Sequence, residues 1–365
     1  MADITVEGSV VTGNARTLRQ EVWTTEAIGY RFIIDSDDDL FYLKTTDGGA
    51  TWGSPVEIDT DTTIVCFALD VYYDKWTPGN TGTLIHIAWL TSDDGDVNYR
   101  TLDTNGDTLG TQRLVFDGAT AVAGRGTFVS VTKTVSGYLY VAYDIDAGAE
   151  RGLHRSTDAG VNWSANLATT FVEATLDICI LFPAMNTGDG NDCWALYQDA
   201  SADALTLKMW DSSAAAQTES ATIQAHIENV TDLTGQIGFT AAIRHRDGHL
   251  IISSISERDT ATSDHQVYDA ASVASITLMG SITTNIDDHY HQSLFIDQRN
   301  DALYVAYNGK RDGSEVLGTT TKVYYTKSLD GGTTWTAGDT AYMEGAAGVV
   351  MQVWTPPMGP RFYAT

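Results

Sequence analysis

The stretch Ser328-Leu329-Asp330-Gly331-Gly332-Thr333-Thr334-Trp335 decides how this chain is read, because its pattern occurs three times. The other copies are Thr45-Thr46-Asp47-Gly48-Gly49-Ala50-Thr51-Trp52 and Ser156-Thr157-Asp158-Ala159-Gly160-Val161-Asn162-Trp163. In the shared form S/T-x-D-x-G-x-x-W each residue type has a physical task. The Asp carboxylate accepts hydrogen bonds from N–H groups of its own loop, and the Gly allows a positive φ. The Trp folds back as an apolar plug over the strands that the turn joins. Each copy follows a segment of alternating polarity, so the pattern reads as a tight turn after a strand.

Working outward, degenerate versions follow other alternating segments: Leu102-Asp103-Thr104-Asn105-Gly106, Trp210-Asp211-Ser212-Ser213 and Tyr268-Asp269-Ala270-Ala271. The six Asp positions lie 56, 55, 53, 58 and 61 residues apart. Such even spacing marks a repeat architecture in which each unit is one supersecondary module. Within one unit, alternation predicts strands over 237–243, 249–254, 266–269 and 276–282. Four short strands per unit make a propeller blade.

The three complete turns resemble the Asp box, or BNR repeat, of sialidase-type β-propellers. The resemblance implies an all-β propeller of four-stranded antiparallel blades, forming a single domain over residues 1–365. It also implies that Asp47, Gly49, Trp52, Asp158, Gly160, Trp163, Asp330, Gly332 and Trp335 are structural, on the face away from the functional site. Sialidases have six blades, whereas the ends of this chain argue for seven. Val22-Trp23-Thr24 followed by Gly29-Tyr30-Arg31-Phe32 opens the first unit, and Val353-Trp354-Thr355 followed by Gly359-Pro360-Arg361-Phe362 repeats that opening near the C-terminus. A seventh blade is then expected to be closed by an N-terminal strand around residues 4–11, which would cover open sheet edges.

Charge narrows the partners. With 21 Lys and Arg against 48 Asp and Glu, the formal charge is −27. A field of that sign repels phosphate backbones and anionic lipid, which argues against nucleic acid, and no segment has the length or apolarity for membrane insertion. The 33 glycines and 6 prolines suit many short strands joined by glycine turns. Three cysteines, Cys66, Cys179 and Cys193, are no disulfide framework. Cys179 and Cys193 fall on adjacent strands of one predicted hairpin, so one bridge or three buried thiols are the alternatives. The N-terminus shows no basic segment followed by an apolar one, so a virion or extracellular setting would be reached without a signal peptide.

Candidate chemistry falls in the connections between second and third strands and between blades. These include Arg125, Asp144-Ile145-Asp146, Glu257-Arg258-Asp259, Asp264-His265, Asp287-Asp288-His289-Tyr290-His291 and Lys310-Arg311-Asp312. The family resemblance implies a site on this face. Tyr290 stands near where sialidases carry a tyrosine nucleophile, with Glu257 or Glu228 as its base and Arg125, Arg258 and Arg311 as a carboxylate clamp. The family's Arg-Ile-Pro motif has only Arg31-Phe32-Ile33 as its counterpart, and its second and third Arg motifs are unmatched. Asp288, His289 and His291 are therefore read with the three arginines as ligand-binding loop residues. His289 and His291, two apart on an extended segment, point the same way, but spacing specifies no third metal ligand. No cofactor is implied. Asp35-Ser36-Asp37-Asp38-Asp39 resembles a calcium loop without the turn Gly and distal Glu of an EF-hand. Tyr72, Tyr73, Trp76, Trp89 and Tyr99 suit either sugar stacking or packing between blades.

The expectation is a non-catalytic binding or structural propeller whose partner is a glycan or another virion or surface protein. Its setting follows from the resemblance to propellers of bacteriophage and environmental sequences. The alternatives are a sialidase-type glycoside hydrolase and a protein assembly scaffold.

Overall fold

The computed structural model describes residues 16–35, 38–59, 66–119, 127–145, 150–167, 178–199, 202–225, 238–255, 265–283, 290–308, 322–336 and 341–344. A two-residue strand, β1 (Arg16–Thr17), comes first. Blade 1 holds β2 (Glu21–Trp23), β3 (Gly29–Ile34), β4 (Leu40–Thr45) and β5 (Val56–Glu57). Blade 2 holds β6 (Cys66–Tyr73), β7 (Leu84–Thr91), β8 (Val97–Asp103), β9 (Thr108–Leu109) and β10 (Arg113–Phe116). Blade 3 holds β11 (Phe128–Lys133), β12 (Leu139–Asp144) and β13 (Arg151–Ser156). Blade 4 holds β14 (Ile178–Pro183), β15 (Cys193–Asp199), β16 (Ala204–Asp211) and β17 (Ala216–Ala225). Blade 5 holds β18 (Phe239–Arg244), β19 (His249–Ile255), β20 (His265–Ser272) and β21 (Ser275–Thr283). Blade 6 holds β22 (Tyr290–Asp297), β23 (Ala302–Asn308), β24 (Lys322–Ser328) and β25 (Ala341–Glu344). One 3-10 turn, Asp74–Trp76, is the only helical element among the described residues.

Sequence pattern explains the radial order. The first and second strands are nearly continuous apolar runs, buried on both faces: every residue of β12 and β14 is buried. The outermost β17 carries Gln217, Thr218, Glu219 and Ser220 and is largely exposed. First strands of successive blades pack together, β6 on β11, β11 on β14, and β18 on β22. Tyr72, Tyr73, Trp76, Trp89 and Tyr99 are all at most 2% exposed. They are core residues, so sugar stacking on them is excluded in this fold. Each such burial stabilises by about 2–3 kcal/mol.

Two expectations need correction, and one alternative is settled. Six blades are present among the described residues, not seven. Residues 4–11 and 353–362, on which the seventh rested, lie outside the described residues. The N-terminal segment that is described goes elsewhere: β1 pairs parallel with β6, Arg16 opposite Ala68 and Thr17 opposite Leu69. Its polypeptide then continues as β2, the first strand of blade 1. Asp269, expected in a turn, is instead within β20, where its carboxylate accepts from Arg244 Nη2 (2.7 Å) and bonds His249 Nδ1 (2.6 Å). The three cysteines are free and buried. In the β14–β15 ladder Cys193 faces Pro183 and Cys179 faces Tyr197. That register separates the two cysteines by about 13 Å along the strands, beyond disulfide reach.

The S/T-x-D-x-G-x-x-W turns share one hydrogen-bond set. Thr45, Ser156 and Ser328 hydroxyls donate to Asp47, Asp158 and Asp330 (2.8, 2.8 and 2.7 Å) and accept from the N–H of Gly49, Gly160 and Gly332 (3.0, 2.8 and 2.7 Å). Each carboxylate also accepts from the backbone N–H four residues on, Thr51, Asn162 or Thr334, at 2.9 Å. The glycines sit at φ +84°, +86° and +98°, where other residues are strained. Trp52 meets Trp23 edge-on at 6.1 Å, Trp163 meets Tyr99 at 5.1 Å, and Trp335 Nε1 donates to Gly332 O at 3.0 Å.

Candidate functional site

In an antiparallel blade, first–second and third–fourth connections leave one end, while second–third and blade-to-blade connections leave the other. Two of the complete turns are third–fourth connections, and the one at 156–163 follows the third strand of blade 3. The opposite face therefore receives the six second–third connections, 35–39, 92–96, 145–150, 200–203, 256–264 and 309–321. In sequence these carry fifteen carboxylates against three cations, whereas the six first–second connections carry six against three. The charge asymmetry of these connections is thus concentrated on one face.

Of the predicted site residues, the described structure reaches Tyr290 and His291, through the backbone. Tyr290 and His291 open β22, the first strand of blade 6, with Tyr290 opposite Asn308. Arg125, Glu228, Glu257, Arg258, Asp288, His289 and Arg311 lie outside the described residues, as do the metal and clamp arrangements that rested on them. Asp35, Asp38 and Asp39 form a self-bonded turn: Asp39 N donates to Asp35 Oδ1 (3.1 Å), Asp35 N to Asp39 O (3.0 Å) and Asp38 N to Asp35 O (3.1 Å). The rest of the calcium-like loop, 36–37, is outside the described residues. No group of three or more potential metal ligands occurs among the described residues.

The described rim is anionic and partly dry. Between blades 2 and 3, Asp96 accepts from Gly118 N at 2.7 Å, and Thr91 Oγ1 donates to Asp94 at 2.7 Å. Burial raises the Asp96 carboxyl above its ordinary range. The Gly118 N–H opposes that rise, and the charges of Asp94, Asp117 and Asp93 add to it. Such carboxylates accept hydrogen bonds from hydroxyl or ammonium groups and repel anions.

At the second–third end of blade 5, a buried polar layer joins blades 5 and 6. Ser253, near the end of β19, meets His265, at the start of β20, with Oγ to Nε2 at 2.9 Å. Gln292, the third residue of β22, bonds both through Oε1, with 2.8 Å to His265 Nε2, and its Nε2 donates to Gly238 O at 2.8 Å. The next residue after Ser253, Ser254, points to the other side and donates to Gln224 of blade 4. Burial holds His265 at about 4, so it is neutral near pH 7. A serine hydrogen-bonded to a histidine is the first half of a nucleophile–base pair. Here Ser253 is fully buried and its third partner is an amide, so the layer is a rigid floor and not a nucleophile. Sequence reading picks out His265 but misses its partners Ser253 and Gln292. Their one signal is a polar residue at a strand position facing a neighbouring blade.

On the turn face, a second buried histidine is tied on both sides. His86 Nε2 lies 3.0 Å from Asp74 Oδ1, and His86 Nδ1 lies 2.6 Å from Tyr99 OH. Lys133 Nζ reaches the same Asp74 oxygen at 2.5 Å. Burial pulls Asp74 upward, yet His86 and Lys133 together hold it at about 2. Trp163 and Gly160 cover Tyr99, which is 2% exposed, so no substrate reaches this series.

No protein-family model matches this chain, and no curated protein matches it. Solved structures do. An ulvan lyase of polysaccharide lyase family PL25, bound to -[GlcA(1-4)Rha3S]-, aligns with a TM-score of 0.54 at 10% identity over 92% of this chain and 86% of that one. The GH74 xyloglucanase of Xanthomonas campestris aligns with a TM-score of 0.52 at 13% identity over 90% of this chain. This chain spans 46% of the xyloglucanase. A leech intramolecular trans-sialidase complexed with 2,7-anhydro-Neu5Ac aligns with a TM-score of 0.52 at 10% identity, covering 89% and 70% of the two chains. At these identities the likeness shows a shared β-propeller fold.

Proposed function

We propose that this propeller is a non-catalytic carbohydrate-binding module that holds its ligand on the face of the second–third connections. Its setting is the surface of a virus particle or another extracellular assembly. The observation that carries this reading is the charge contrast between two sets of connections that leave opposite ends of the blades, fifteen carboxylates against three cations in the second–third set and six against three in the first–second set. A carboxylate-lined face over a rigid, internally bonded floor suits hydroxyl-rich neutral or amine-bearing sugars and disfavours sialic acid or uronate. Propellers similar in fold include proteins whose substrates are polysaccharides or sialosides, which supports a glycan as the ligand class.

The test is a glycan array read for both retained protein and lost terminal sugar. Retention on neutral or amino-sugar glycans without loss supports the reading. Retention on sialylated glycans alone overturns its charge argument. Neither signal moves the assignment to a protein partner in an assembly.

One observation favours the catalytic alternative: Tyr290 opens the first strand of its blade at the connection-bearing end. In that reading Tyr290 attacks the anomeric carbon as the glycosidic C–O bond breaks and the aglycone leaves as its alcohol with a proton from solvent, Glu257 takes the tyrosine proton, and Arg125, Arg258 and Arg311 clamp a carboxylate. Sugar loss on the array, abolished in Tyr290→Phe with the unfolding temperature unchanged, would replace the binding assignment.

A further inference from the structure

The segment leading from β1 into β2 places one charged side chain where blades 2, 3 and 4 meet. Arg19 and Asp70 are 5% and 0% exposed. Arg19 Nε donates to Asp70 Oδ1 at 2.8 Å, and Nη2 donates to Asp70 Oδ2. The outer edge of the guanidinium meets two carbonyls, Val131 O at 2.6 Å from Nη2 and Leu181 O at 3.2 Å from Nη1. Its carbon lies 5.2, 6.0 and 5.6 Å from the ring centres of Tyr72, Trp76 and Phe182. Asp70 is itself fixed by Ser130 Oγ and Val131 N, both donating at 2.9 Å, and Ser130 Oγ accepts from Leu181 N at 2.9 Å.

This is a full recognition set for a guanidinium group. A carboxylate fork and carbonyls take the in-plane N–H donors, and aromatic rings lie within cation–π range. The set comes from strands of blades 2, 3 and 4 and, for Trp76, from the 3-10 turn of blade 2, and the antiparallel ladders of those strands do not involve residues 16–20. The segment carrying Arg19 has little other anchorage on blade 2: a two-residue parallel ladder, Leu18 N to Leu69 O (3.0 Å), and Arg19 N to Asp70 Oδ1 (3.1 Å).

We propose that the hub between blades 2, 3 and 4 is a guanidinium-binding site, and that Arg19 occupies it as a ligand carried by the chain itself. The site pins the N-terminal segment across the hub, and its recognition chemistry belongs to the blades and not to that segment. An alkylguanidinium supplied in solution therefore enters the site when Arg19 is removed. The inference is independent of the carbohydrate reading.

The test compares the full chain with Arg19→Ala, each titrated with ethylguanidinium and, separately, with ethylammonium below roughly 50 mM. In Arg19→Ala, ethylguanidinium is expected to raise the unfolding temperature saturably by several degrees, while ethylammonium has less than a third of that effect. The unaltered chain, whose site is filled, shows neither response. Arg19→Lys, which keeps the charge without the planar fork, is expected to stay well below the unaltered chain. Should Arg19→Ala not fold alone, the readout becomes the refolding yield with each additive, with a gain expected from ethylguanidinium only. Equal responses to the two cations, equal responses of variant and unaltered chain, or no response would each overturn the proposal.

Discussion

Two sets of aspartates gather similar hydrogen bonds in opposite surroundings. At the hub, Asp70 accepts from the Arg19 backbone and guanidinium, the Ser130 hydroxyl and the Val131 N–H, with no exposure to water. In the turns, Asp47, Asp158 and Asp330 each accept from two side chains and a backbone N–H while exposed. The donor sets are alike, and the difference is what replaces a lost partner. Water fills a gap in an exposed turn, but nothing fills one at the hub. The exposed turns are a local device that recurs in sequence, whereas the hub pair depends on residues 51 to 162 positions away from Arg19.

The largest expected effect comes from breaking the hub. Asp70→Asn keeps shape but leaves the Arg19 charge buried without its counter-ion, at a cost of about 3–5 kcal/mol. Urea unfolding at pH 7 measures it. A loss below about 1 kcal/mol would mean that the pair is solvated and that the contrast with the turns is false.

The buried floor offers a pH test of the same principle. His265 is held at about 4 by burial, below the ordinary 6.5, so the unfolded chain binds a proton that the folded chain refuses. Stability is then full above about pH 6.5 and falls as the pH drops towards 4, by on the order of 3 kcal/mol for this group. His86 and His154 are lowered chiefly by burial as well and add to the same slope. His265→Gln is expected to be less stable at pH 7 yet to lose less between pH 7 and about 4.5. A variant with the unaltered slope would show that His265 is not the titrating group.

These differences also explain what can be read in advance. The turns are legible because every participant lies within eight residues, so the motif carries its own geometry. Repetition of that motif then points to the propeller. The blade number goes wrong where one similarity, Val22-Trp23-Thr24 against Val353-Trp354-Thr355, is read as a strand pairing. Asp269 misleads because spacing alone does not separate a turn from the end of a strand, and its partners Arg244 and His249 lie on other strands of its blade. Arg19 carries no local signal at all, since its meaning comes from three blades brought together. The site residues are legible only as a face, because connections of varying length leave no periodicity to place their side chains.

Among the turns, crowding separates two glycines. Gly160 sits at φ +86°, and a Cβ there would overlap the edge of the buried Tyr99 ring. Gly160→Ala therefore combines left-handed strain with overpacking, about 2–4 kcal/mol in all. Gly331 has φ +72°, and an added methyl there would find nothing within 4 Å. Gly331→Ala thus meets only the backbone cost, about 1 kcal/mol. Equal losses in thermal unfolding would show that Tyr99 yields readily.

The smallest effect belongs to the exposed carboxylates, and its pH dependence identifies its origin. Asp330 is lowered to about 2 by the Thr334 hydroxyl first, then the Thr334 N–H and the Ser328 hydroxyl, with slight burial opposing them. Its contribution is therefore present above about pH 4 and is lost as the pH falls through 2, the same sign as for His265 in a lower pH range. Asp330→Asn retains an acceptor for the hydroxyls and lacks the charge. The variant is expected to unfold slightly below the unaltered chain at pH 7, with the gap narrowing by about half at about pH 3. A gap independent of pH would assign the turn's stability to hydrogen-bond shape and not to ionisation. In that case the parallel between Asp330 and Asp70 would rest on geometry alone, and of the two the hub would be the place where charge itself holds the propeller together.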